Sequence, residues 1–175
     1  LGISVNVSAR QLHQHDFVED VAETLRLTGF PAPLLMLEIT ESVIVEQPEL
    51  VRQRLEALKQ LGVRVAIDDF GDGYTSIAHL RRFPVDVLKL CMSFVDGVHE
   101  QPQATALAEA VVAMARALGL ETVAEGIEEE AQREALSALG CTLGQGYLFA
   151  RPIPPAQVGA LLGLAEPAEP AGVAG

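Results

Sequence analysis

The sequence predicts an α/β fold built on a parallel sheet, either an open doubly wound sheet or a (β/α) barrel. Short runs rich in Val, Ile and Leu alternate with longer helical patterns, and strands separated by helices pair in parallel through crossovers. Four helical patterns run into a glycine, Gly29, Gly62, Gly119 or Gly140, the residue that most readily takes the left-handed conformation at a helix end. Of the 175 residues 49% are hydrophobic, enough to build one core rather than an acidic coil.

In chain order, a strand is expected over residues 3–8, a helix over 17–28, a strand over 35–40 and a helix over 48–60. A strand over 63–68 leads to a short helix over 76–82, stopped by Pro84, and to a strand over 87–90. A helix over 104–118, a strand over 122–125, a helix over 129–139 and a weaker strand over 144–149 complete the pattern. That makes about six βα units where a closed barrel takes eight and roughly 250 residues, so a barrel here would lack its first strands. The chain opens at Leu1 already in strand-like sequence, and it is expected to be a piece of a longer protein. Residues 1–163 form the expected domain; residues 164–175, all Ala, Pro, Glu, Gly, Val and Leu without periodicity, are an expected disordered tail.

The charge balance narrows the function. With 24 acidic against 12 basic residues the net charge is −12, which disfavours bare DNA and leaves a phosphate-bearing ligand in need of bridging metal ions. No apolar stretch reaches the roughly 20 residues that span a bilayer, so no direct membrane contact is expected from this segment. Cys91 and Cys141 are too few for a disulfide scaffold and fit a reducing, cytoplasmic compartment.

Side chains alternate faces along a strand, so parity tells which residues point together. Val5 and Val7, Leu37 and Ile39, Val65 and Ile67, and Leu88 and Leu90 make the faces for the helices. The opposite faces carry, near the carboxyl ends, Asn6, Glu38, Asp68, Lys89 and Glu125, with Asp69 following in the turn. Ligands of βα folds bind at the carboxyl ends of the strands. Any one of these residues alone reads as a helix cap or a satisfied buried polar group; five agreeing in face and in end point to a site. Lys89 is one of only two lysines and interrupts an apolar strand, where a buried ammonium needs carboxylate partners. Crowded carboxylates with an Asn carbonyl and neither His nor Cys suit Mg²⁺ or Mn²⁺ better than Zn²⁺. The pair His13 and His15 reads as a solvated loop, and His79 and His99 as surface residues.

Six motifs then stand in one order: Asn6-Val7-Ser8, Glu38-Ile39-Thr40-Glu41, the run from Asp68 to Ser76, Leu88-Lys89-Leu90, Ala124-Glu125-Gly126-Ile127-Glu128 and Gln145-Gly146-Tyr147-Leu148-Phe149. In that order the chain resembles EAL domains, bacterial cyclic di-GMP phosphodiesterases, over about residues 1 to 155. Asp69-Phe70-Gly71 by itself would suggest a kinase magnesium loop, but no kinase Gly-rich loop or H-R-D motif accompanies it. The motif order likewise argues against an enolase-type barrel, where carboxylates hold Mg²⁺ and a lysine is the base.

The resemblance implies a (β/α)8 TIM-like barrel lacking its first strand or strands, and two Mg²⁺ or Mn²⁺ ions held by Asn6, Glu38, Asp68, Asp69 and Glu125. It places Lys89 beside the attacking water, Gln145 there or on the phosphate side, and Asp69 and Glu128 on the substrate. Glu41, expected with Lys89 and Gln145 among the catalytic residues, resembles the glutamate that braces the loop over residues 70–76, a loop linked to homodimer formation. The product would be linear pGpG, and sensory or GGDEF domains would lie upstream in the parent protein. Two departures stand out. The Glu-Ala-Leu strand that names the family would precede Leu1, and Cys91 replaces an Asp that the family usually carries two residues beyond the lysine. Both raise a second possibility, a degenerate EAL domain that binds cyclic di-GMP or a protein without cutting; retention of Lys89 and Gln145 favours the enzyme.

Overall fold

In the computed structural model, residues 2–71 and 80–163 are described. The strands are β1 (Ile3–Asn6), β2 (Leu35–Thr40), β3 (Arg64–Phe70), β4 (Val87–Leu90), β5 (Glu121–Ala124) and β6 (Leu143–Gly144), all parallel, in the order β1-β2-β3-β4-β5-β6. This order decides between the two architectures. A doubly wound sheet reverses direction from a central strand, whereas here each strand lies beside its predecessor, as in a barrel wall. Six strands make part of that wall, and among the described residues β1 and β6 are its free edges.

The helices are α1 (Ala9–Leu12), α2 (Phe17–Thr28), α3 (Glu41–Glu46), α4 (Pro48–Gln60), α5 (Met92–Val95), α6 (Pro102–Ala117), α7 (Glu130–Leu139) and α8 (Pro155–Leu161). Gly29, Gly62, Gly119 and Gly140 all have positive φ after helices, as expected. Pro48 and Pro102 open α4 and α6, where the missing N–H costs nothing.

The core lies between the sheet and α4 and α6. Leu37, Ile39, Val65, Ile67, Leu88 and Leu90 meet Val51, Leu55 and Leu58 of α4 and Ala108, Val112 and Ala115 of α6, all buried. Truncating a leucine as enclosed as Leu55 costs about 2 to 5 kcal/mol. No helix among the described residues is long and apolar enough to cross a membrane.

Two readings need correction. The strand expected over 144–149 shrinks to Leu143–Gly144, because Gln145 to Phe149 curls into a turn whose Leu148 N–H donates to the Ile127 carbonyl. His99 is half-buried instead of a surface residue, its Nε2 facing Glu100 and Glu129. The short elements α1, α3, α5 and α8 carry too few residues for a periodic pattern to announce them. Residues 76–79 of the expected short helix, His79 and the tail over 164–175 lie outside the described residues.

Candidate functional site at the carboxyl end of the sheet

The strand register gathers the polar face. Asn6 pairs with Glu38, Glu38 with Ala66, Ala66 with Val87 and Lys89 with Val123, so all share the side away from the helices. Glu125 follows β5 on that side, its N–H donating to the Leu90 carbonyl at 3.0 Å.

Asp68 and Asp69 are adjacent, and strict alternation would separate them. Between Ile67↔Leu88 and Phe70↔Leu90 the ladder of β3 gains one residue on β4, so two residues of β3 oppose Lys89 alone. Asp69 sits in that bulge at φ 53°, the one described non-glycine residue with positive φ. Oxygens of Asp68, Asp69 and Glu125 consequently lie within 4.8 Å of one another.

Lys89 stands at the centre. Its Nζ is 2.6 Å from Glu38 Oε2, 2.8 Å from Asp68 Oδ1 and 2.6 Å from Glu125 Oε1, and its side chain is only 4% exposed. Burial alone would push the ammonium to give up its proton, but hydrogen bonds to Asp68, Glu125 and Glu38 together hold its pKa above the ordinary lysine value. One cation cannot balance this many carboxylates. Glu125 feels the shortfall: burial, with repulsion from Asp68 and Asp69, outweighs Lys89 and holds its carboxyl above the ordinary range.

Around this cluster, Gln145 Nε2 donates to Glu125 Oε1 at 2.6 Å. Glu128 and Gln145 line a cavity of about 760 Å³ together with Met92, Tyr147, Arg151 and Ile153. The Arg151 guanidinium lies 4.6 Å over the Tyr147 ring. Glu41, buried on the first turn of α3, accepts the Gly71 N–H at 3.4 Å, at the start of the loop it was expected to brace. Asn6 is in register with Glu38 but exposed on the edge strand. Cys91 is buried at the end of β4, its Sγ 3.0 Å from Ser93 Oγ. The reading from sequence missed Gln132, a buried polar side chain of α7 that takes part in the turn below Glu128. Its spacing from Glu129 matches a helix-opening box, which is the signal that would have revealed it.

Asp68, Asp69 and Glu125 offer only hard oxygens, close together, in a cluster left negative by its single lysine, and this fits Mg²⁺ or Mn²⁺.

A barrel-type parallel sheet with an acid-lined carboxyl end around one lysine defines a class of α/β proteins with a carboxylate-rich site at the strand ends. Within that class the chain belongs to the EAL domain family, which matches residues 1–152. It is similar to the cyclic di-GMP phosphodiesterase PdeR of Escherichia coli, 40% identical over 88% of this chain and 23% of that protein. The crystal structure of the EAL domain of Mycobacterium smegmatis DcpA is 42% identical, with a TM-score of 0.88 over 93% of this chain and 73% of that one. The manganese and cyclic di-GMP complex of Klebsiella pneumoniae BlrP1 is 32% identical, with a TM-score of 0.80 over 86% of this chain and 39% of that one. The chain spans only 20 to 23% of the length of the first curated relatives it matches.

Proposed function

We propose that this chain carries the hydrolytic site of a cytoplasmic cyclic di-GMP phosphodiesterase that opens the cyclic dinucleotide to linear pGpG with two Mg²⁺ or Mn²⁺ ions. The observation that supports it is the Lys89 cluster, one protonated ammonium shared by Glu38, Asp68 and Glu125 with Asp69 beside them. Asn6, Glu38, Asp68, Asp69 and Glu125 would hold the ions, which when bound polarise a phosphoryl oxygen and acidify water.

This chain's own residues do the rest. Lys89, held protonated, supplies a fixed positive charge where a phosphodiester gains negative charge in the transition state. Gln145 pins Glu125 through its amide N–H and keeps its carbonyl oxygen available for water. Glu128, with Tyr147 and the apolar Met92 and Ile153, presents a carboxylate and flat apolar surfaces to a nucleobase in the adjoining cavity. Asp69 supports the same substrate side. In the reaction a water oxygen forms one P–O bond, a single ester P–O bond breaks, and a proton of that water ends on the departing sugar oxygen. Only one of the ring's two phosphodiester linkages is cut, so pGpG is the product. Homodimer formation through the loop braced by Glu41, and attachment to upstream sensory or GGDEF domains, belong to the same reading.

Cys91 favours one competing reading, a receptor that binds cyclic di-GMP without cutting it, because a thiol stands where the family usually has an acid. Incubating the 175-residue chain with cyclic di-GMP and Mn²⁺, and separating the nucleotides by chromatography, distinguishes the two. The enzyme converts substrate to pGpG and stops on chelation; saturable binding with no pGpG would leave the receptor.

A further inference from the structure

The turn from Glu125 to Glu129 carries two of the site's carboxylates and has no regular structure of its own. Its entry is tied to the sheet by the Glu125 N–H on Leu90, and its middle by the Ile127 N–H, which donates to the Gln145 carbonyl at 3.1 Å. The turn is also clamped sterically. A Cβ on Gly126, at φ 72°, would stand 2.3 Å from Met92 Cγ, and one on Gly146 would stand 2.0 Å from the Ile127 carbonyl oxygen. Its exit is held by a side chain: Gln132 Oε1 accepts the N–H of Glu128 at 2.9 Å and that of Glu129 at 3.0 Å.

We infer that Gln132 is a positioning residue for the ligand site, fixing through these two hydrogen bonds the direction in which the turn aims the Glu128 carboxylate. The role of Glu128 rests on the proposed function; the restraint on the turn does not. Gln132 is 7% exposed while Glu128 and Glu129 are exposed, so without its oxygen their two N–H groups find an acceptor only in solvent, which lets the turn rearrange. A plain helix cap would also use Gln132 at this place, because it forms a reciprocal box with Glu129 at the start of α7. The two roles separate by substitution. Gln132→Met keeps the shape and removes the acceptor, Gln132→Glu keeps an acceptor, and Glu129→Ala removes the other half of the box without touching the N–H groups of residues 128 and 129.

The experiment measures amide hydrogen exchange of the full chain by NMR, and cyclic di-GMP affinity in Ca²⁺, for the wild type and the three variants. Gln132→Met should speed exchange at Glu128 and Glu129 about tenfold or more with β5 unchanged, and weaken the dinucleotide about tenfold. Gln132→Glu should restore both, and Glu129→Ala should lower the melting temperature while leaving both alone. Unchanged exchange in Gln132→Met, or equal loss of affinity in Glu129→Ala, would overturn the inference. A wild-type chain that binds no cyclic di-GMP would instead sink the proposed function, seen before any variant is compared, and the exchange results would still decide the restraint on the turn.

Discussion

The two ends of the sheet carry charge in opposite ways. At the amino end Lys59 Nζ meets both oxygens of Asp86 at 2.7 Å, and Arg64 meets Glu121 at 2.9 Å. Each cation there has one carboxylate, and Asp86 also accepts the Val65 N–H at 2.8 Å, tying β3 to the start of β4. At the carboxyl end one lysine faces Glu38, Asp68 and Glu125, with Asp69 against them. Balanced pairs hold strands in register and need nothing further. An unbalanced cluster is a standing cost that a bound cation would relieve, and such a cost is expected at functional sites rather than in supporting structure.

Substitutions at the two ends should therefore differ in kind as well as size. The largest effect is expected from Asp68→Asn, which removes charge where a cation would bind: turnover of cyclic di-GMP should fall about a thousandfold or more, equivalent to about 4 kcal/mol, with dinucleotide binding in Ca²⁺ largely kept. Full turnover by that variant, measured by pGpG formation, would contradict the assignment of metal ligands. Lys89→Met leaves buried carboxylates facing one another, and the metal-free chain should lose about 3 to 5 kcal/mol in denaturant unfolding, part of it regained in Mn²⁺. A loss that Mn²⁺ leaves untouched would mean the cluster does not take the cation.

Cys91→Asp sharpens the contrast by adding acid to the unbalanced end. If the usual family acid at this place orients Lys89 or a water, turnover or Mg²⁺ affinity should rise about tenfold, or about 1.4 kcal/mol. Unchanged kinetics with a lowered melting temperature would show that Cys91, buried beside Ser93, serves packing alone. Lys59→Met should give the smallest change: about 1 kcal/mol of stability for a half-exposed pair, and no change in Mn²⁺ affinity below the melting temperature.

Much of the unbalanced end was legible in the sequence because parity is a local rule. Glu38, Lys89 and Glu125 fall on one face by counting; the register keeps the first two there, and Glu125 follows β5 with its N–H on the Leu90 carbonyl. Asp69 was legible only as a neighbour of Asp68, since a bulge depends on how β3 meets β4 and leaves no periodic trace. Gln145 was placed on a strand although it lies in a turn, because its apolar neighbours Tyr147 to Phe149 look like strand residues while tertiary hydrogen bonds to Ile127 curl them. Gln132 stayed hidden for a related reason: its side chain matters through the backbone of residues 128 and 129, which periodicity does not describe.

The charge imbalance is tested most directly by melting the chain with and without Mn²⁺ at neutral and at mildly acidic pH. Glu125 titrates above the ordinary carboxylate range in the metal-free fold, so its contribution favours the fold below its unfolded value of 4.5 and is lost as pH rises through the raised one. A cation that needs the ionised carboxylate reverses that sign. Mn²⁺ at about a hundred times its dissociation constant should stabilise the chain by roughly 2.7 kcal/mol at neutral pH, and less at mildly acidic pH where it must displace the proton. A melting curve that Mn²⁺ leaves unmoved at neutral pH would contradict the reading of this end of the sheet as a cation site.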